Sequence, residues 1–110
     1  MKVELKNLQS SFLSYLKNER LCSENTIKSY DNDLKNFVEY CCSFLQHKNF
    51  HIDLVDNKVI KSFIAKEKEK GFKVRTINRK ISSVKSFFSY LYNFEIVKDN
   101  PAKYIRSQKE

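Results

Sequence analysis

The stretch Val74-Arg75-Thr76-Ile77-Asn78-Arg79-Lys80-Ile81-Ser82-Ser83-Val84-Lys85-Ser86-Phe87-Phe88-Ser89-Tyr90-Leu91 decides the fold. Its residues Val74, Ile77, Ile81, Val84, Phe88 and Leu91 recur at spacings of 3, 4, 3, 4 and 3. At about 100° per residue, all six fall on one face of an α-helix. Arg75, Arg79, Ser82, Ser83 and Ser86 fall on the opposite face. Such a helix needs other apolar faces to cover its stripe, and the rest of the chain supplies them.

Upstream, Leu5, Leu8, Phe12 and Leu16 give the stripe of a first helix ending near Arg20. Ser23 is placed to cap a second helix, with Glu24 in the first turn, where the helix dipole favours an acid. Ile27, Tyr30, Leu34, Phe37, Val38, Cys41 and Leu45 carry that helix to about Gln46. The segment from His47 to Val55 lacks helical period and reads as a loop. Asp56 caps a third helix with Val59, Ile60, Phe63 and Ile64 on its core side, and Gly71 closes it. Downstream, Asn100-Pro101 predicts a cap followed by proline at the first helical position, opening a short fifth helix through Tyr104. The expected architecture is all-α: a four-helix bundle with a short fifth C-terminal helix, residues 1–110 forming one domain.

Composition narrows the function. One glycine in 110 residues excludes a glycine-rich phosphate-cradling loop and disfavours a hairpin-rich β fold. No apolar run reaches membrane-spanning length, so no membrane partner is expected. Three cysteines, an odd number, give no disulfide framework and point to a reducing cytoplasm. The six tyrosines include no activated nucleophile: Tyr30, Tyr90 and Tyr92 have no histidine nearby and read as packing. Cys41, Cys42, His47 and His51 lack metal-ligand spacing; Cys41 reads as a buried small hydrophobe and Cys22 as packing. Glu67 and Glu69, among Lys66, Lys68 and Lys70, read as a solvated helix face. No catalytic residue, metal or cofactor is expected.

The charge is uneven. Lys and Arg total 21 against 13 Asp and Glu, a net charge of +8. Residues 1–55 balance, so the surplus lies in residues 56–110, and no acid occurs between Lys70 and Phe94. Fields of one sign attract polyanions. A helix read against a DNA major groove needs cationic or hydrogen-bonding side chains near its N-terminal half and small residues further along. Arg75, Thr76, Asn78 and Arg79 meet the first need, and Ser82, Ser83 and Ser86 the second. Lys73, Lys80 and Lys85 flank that face, where phosphates would lie. The second helix is a weaker surface: Asn25, Lys28, Ser29, Asn32 and Lys35 lie off its apolar stripe, but Asp31 and Asp33 would repel a phosphate. By itself it reads as structural.

Three motifs then resemble one family. Leu21-Cys22-Ser23-Glu24-Asn25-Thr26-Ile27-Lys28-Ser29-Tyr30 with Asp33-Leu34, the stretch Thr76–Leu91, and Asp99-Asn100-Pro101-Ala102 are similar, in order and spacing, to the motifs of the N-terminal domain of tyrosine recombinases (phage integrases, Xer-like). The resemblance implies a SAM-like core-binding domain that forms half of a clamp on double-stranded DNA, with the second and fourth helices near the major groove. Carried over position by position, it implies phosphate contacts from Ser23, Asn25, Thr26 and Lys28. It implies backbone and base contacts from Arg75, Thr76, Arg79, Lys80, Ser83 and Lys85, beside Lys73 on the flank. Asp31-Asn32 departs from the basic residues that relatives often carry there. The family's chemistry, an Arg, Lys, His, Arg set with a tyrosine nucleophile, lies in a following catalytic domain absent from this chain. The fragment is therefore expected to be inert and monomeric alone, and the full-length protein a tetramer on DNA for integration or recombination. Two other readings stay open on the residues: a helix-turn-helix-type DNA-binding regulator, and a helical protein-interaction module with a basic face.

Overall fold

Capping residues set the helix boundaries in the computed structural model, which describes residues 3–47 and 49–109. Four helices form: α1 (Leu5–Asn18), α2 (Glu24–Leu45), α3 (Asn57–Glu69) and α4 (Val74–Asn93). The chain falls into two compact units, Met1–Leu54 and Val55–Glu110.

In the first unit α1 packs on α2. Leu5, Leu8, Phe12 and Leu16 are buried on α1, and Leu34, Phe37, Val38 and Cys41 on α2, as their spacing requires. Ser23 caps α2, its Oγ accepting from the Thr26 amide at 3.2 Å and donating to Thr26 Oγ1 at 2.9 Å. Gln46, at φ 58°, ends α2 in the left-handed region, its amide donating to the Cys42 carbonyl. Burial pushes the Cys41 thiol far above its ordinary range, with Cys42 adding to the effect, so Cys41 is an inert core group. Two features lie outside the expected pattern. The segment read as a loop holds a two-residue strand β2 (Asn49–Phe50), paired antiparallel with β1 (Val3–Glu4), and a 3-10 turn at Ile52–Leu54. Asp33 is buried at 2% exposure, so it is no part of the outer surface of α2.

In the second unit α3 packs on α4. Asp56 caps α3, its Oδ1 accepting from the Val59 amide at 3.1 Å. At the other end the Gly71 amide donates to the Lys68 carbonyl and the Phe72 amide to the Glu67 carbonyl, a paired C-terminal cap. That cap needs positive φ, and Gly71 supplies 86°. The fifth helix does not form: residues 101–104 make one turn, with Asn100 Oδ1 accepting from the Ala102 amide at 2.9 Å. Beyond it the chain runs without helix, although Ala102 and Ile105 are buried.

Because the Ser23 hydroxyl accepts from the Thr26 amide as the cap of α2, Ser23→Ala is expected to destabilise the protein by about 1 kcal/mol. A urea melt with unchanged m-value checks this.

Candidate nucleic-acid interface

Helix α4 carries the candidate surface, and its buried arc is wider than the apolar stripe predicts. Ile77, Ile81, Val84, Phe88 and Leu91 are buried as expected, but so are Lys80, Ser83 and Phe87. These last three are spaced as one edge of the helix, at i, i+3 and i+7. Fully burying Phe87 contributes about 1.5–3 kcal/mol and favours turning this edge inward, with Lys80 and Ser83 buried beside it.

Lys80 is the main correction to the expected phosphate-binding set. Its Nζ lies 2.5 Å from Glu67 Oε1 and 4.0 Å from the centroid of the Phe72 ring, with Lys80 8% exposed. Glu67 is not on a solvated face either: it is fully buried, and its Oε2 meets Lys70 Nζ at 3.2 Å, an ion-pair contact without hydrogen-bond alignment. The buried carboxylate thus holds Lys80 and also Lys70, the lysine at which the acid-free stretch opens. Ser83, 5% exposed, is likewise inside, away from any base edge.

Lys85 is the second correction. It is half-buried, and its Nζ donates to the Ile105 carbonyl at 2.6 Å. Asn78 acts with it: Nδ2 donates to the Gln108 carbonyl at 3.0 Å, while Oδ1 accepts from the Gln108 amide at 2.7 Å. From Asn78 to Lys85 the helix rises about 10 Å, which is also the reach of three extended residues from Ile105 to Gln108. The terminal segment is strapped along α4, running against the helix direction. Removing both bonds of one side chain in Asn78→Ala is expected to speed amide exchange over residues 105–108 by roughly 10–100-fold, from about 1–3 kcal/mol of lost local stability.

What remains outward at the start of α4 is Lys73, Arg75, Arg79 and Ser82, all exposed, with Thr76 half-buried among them and Ser86 half-buried further on. Lys73 caps the helix without a side-chain hydrogen bond, so the first amides of α4 keep their positive end toward solvent. Cations and free helix amides at one end form an anion-seeking surface. On the first unit Ser23, Asn25, Thr26 and Lys28 are all exposed at the start of α2, but the Ser23 hydroxyl is committed to the cap, donating to Thr26 Oγ1 and accepting from the Thr26 amide. Asp31 is drawn to Gln9, whose Nε2 donates to its Oδ1 at 3.0 Å.

Tyr30 packs edge-on against Phe12 at 5.6 Å between ring centroids and Tyr90 against Phe94 at 5.0 Å. Tyr92 is half exposed, so packing does not account for it. No helix among the described residues is long and apolar enough to cross a membrane.

Comparison with known proteins agrees with the motifs. The family model described as phage integrase, N-terminal SAM-like domain, matches residues 10–94. Proteins named tyrosine recombinase XerC are similar: one from Thermodesulfovibrio yellowstonii is 34% identical over 91% of this chain and 31% of its own length. One from Leptospira interrogans is 38% identical over 89% of this chain and 30% of its own. One from Listeria innocua is 31% identical over 93% and 33%. The chain spans about a third of the length of these curated relatives. No solved structure matches it significantly.

Proposed function

Because the chain belongs to the phage integrase N-terminal SAM-like domain family, we propose that residues 1–110 are the core-binding domain of a site-specific tyrosine recombinase. In this reading the domain holds duplex DNA while a catalytic domain elsewhere in the full-length protein cuts and rejoins strands, as a tetramer on DNA. The observation that carries it is the outward start of α4, where Lys73, Arg75 and Arg79 are exposed and no carboxylate lies between residues 70 and 94.

The roles divide by chemistry. Arg75 and Arg79 present planar donor forks suited to guanine edges or phosphates, and Thr76 adds a short hydroxyl. Ser82, small and exposed, lets the helix backbone approach the groove. Lys73 and the first amides of α4 meet a phosphate. At the start of α2, Lys28 and Asn25 supply backbone contacts, while Ser23 and Thr26 act by holding the helix end in shape. Lys80 and Ser83 work inside the fold, and Lys85 holds the terminal segment.

This smaller set makes a numerical prediction. Each phosphate neutralised contributes about 0.9 to the log–log slope of affinity against salt. Lys73, Arg75 and Arg79 together give a slope near −2.7, and Lys28 takes it to about −3.6. Fluorescence anisotropy of a labelled duplex across a salt series reads the slope. A slope near zero, or no binding at low salt, would remove DNA as the partner.

A further inference from the structure

The second unit carries a groove of about 420 Å³ between α3 and the strapped terminal segment. Its floor is apolar: Ile64 and Ile105 are buried, Ala65 lies open beside them, and the Tyr104 ring stands at the edge, 78% exposed. Its rim is cationic. Lys61, Lys68 and Arg106 line it, all exposed, and none forms an ion pair with a described residue. No carboxylate of a described residue lines it.

We propose that this groove is a docking site for an acidic segment of a protein partner, one that places an apolar side chain between flanking carboxylates. Charge complementarity selects the occupant. A purely apolar segment would leave three cations facing it unanswered, and a DNA backbone would answer the cations but leave Ile64, Ala65, Tyr104 and Ile105 uncovered. A segment with an apolar anchor and acidic flanks satisfies both. The geometry also favours a ready-made site. Lys61, Ile64, Ala65 and Lys68 share one face of α3, at spacings of 3, 1 and 3. The opposing wall is fixed by Asn78 and Lys85, which hold Gln108 and Ile105 by their backbone. A wall that is already ordered removes much of the entropic cost of binding a peptide. The groove lies away from the outward start of α4 in sequence and would take its segment whether or not α4 binds DNA.

The test is a titration of the 15N-labelled chain with a short synthetic amphipathic peptide carrying Leu and Phe on one face and Asp and Glu beside them. The expected result is amide shifts over residues 61–68 and 104–108, with Arg75 and Ser82 unmoved. Lys61→Glu with Arg106→Glu should weaken the peptide by roughly tenfold or more and leave the melt unchanged, since both side chains are exposed. A peptide with lysines in place of the acids should not bind. Silence in the groove at saturating peptide overturns the proposal. So does displacement of the peptide by a duplex oligonucleotide that shifts the same residues, which assigns the groove to DNA. Concentration-dependent shifts there without peptide would assign it to a second copy of the chain, and would overturn it equally.

Discussion

Glu67→Ala is expected to lower the unfolding free energy by about 3–5 kcal/mol, because it strips the counter-charge from a buried lysine. Lys80, 8% exposed, would keep only the face of Phe72 against its ammonium. The pair does not stabilise the fold by its own attraction, since removing two charges from water costs several kcal/mol per ion. Its removal as a unit should therefore be mild: Glu67→Leu with Lys80→Met is expected to recover most of the loss. Chemical denaturation of the single and double variants reads both values. A Glu67→Ala change within about 0.5 kcal/mol of the parent would mean that the two side chains face water. The double variant has a second use. It removes Lys80 without touching the outer face of α4, so duplex affinity should stay at the parental level. A fall comparable to that from an exposed arginine would return Lys80 to the DNA surface.

Arg75→Ala with Arg79→Ala should weaken duplex binding by at least about 30-fold while leaving the fold intact. Each arginine contact to a base edge or phosphate is worth about 1–3 kcal/mol, so the pair carries about 2–6 kcal/mol. The same change should flatten the salt slope by about 1.8, leaving only the lysine contacts. Both side chains are exposed, so circular dichroism and the melting temperature should hardly move. Loss of affinity without a change in slope would separate base reading from phosphate contact. Unchanged affinity would take α4 out of the interface.

The helices were readable because their boundaries rest on local chemistry: the hydroxyl of Ser23, the carboxylate of Asp56 and the positive φ of Gly71 each act within a few residues of their own position. The apolar stripe of α4 was readable for the same reason. What sequence reasoning misplaced depends on partners far along the chain. Lys80 looks like a flank cation until Glu67 is seen inside, yet the signal was present: Ile60, Ile64 and Glu67 continue the buried spacing of α3. Phe87 sits at the margin of the apolar stripe, so spacing alone places neither it nor Ser83, four residues before it, inside. Asn78 and Lys85 gave no local sign of their role, since both bind backbone groups 20 or more residues away. Pro101 opens a single turn and no helix, and residues 105–108 beyond it are tied to α4 by Asn78 and Lys85. The cationic groove was invisible because Lys61 and Arg106 are brought together only by the fold.

Chemical-shift mapping of the 15N-labelled chain with a short duplex at low salt is the decisive measurement. The account predicts shifts at Lys73, Arg75, Thr76, Arg79 and Ser82 and at Asn25 and Lys28, all reversed by added salt, with Lys80 and Ser83 following only weakly from inside. Shifts confined to other surfaces, with residues 73–82 silent at saturation, would contradict it.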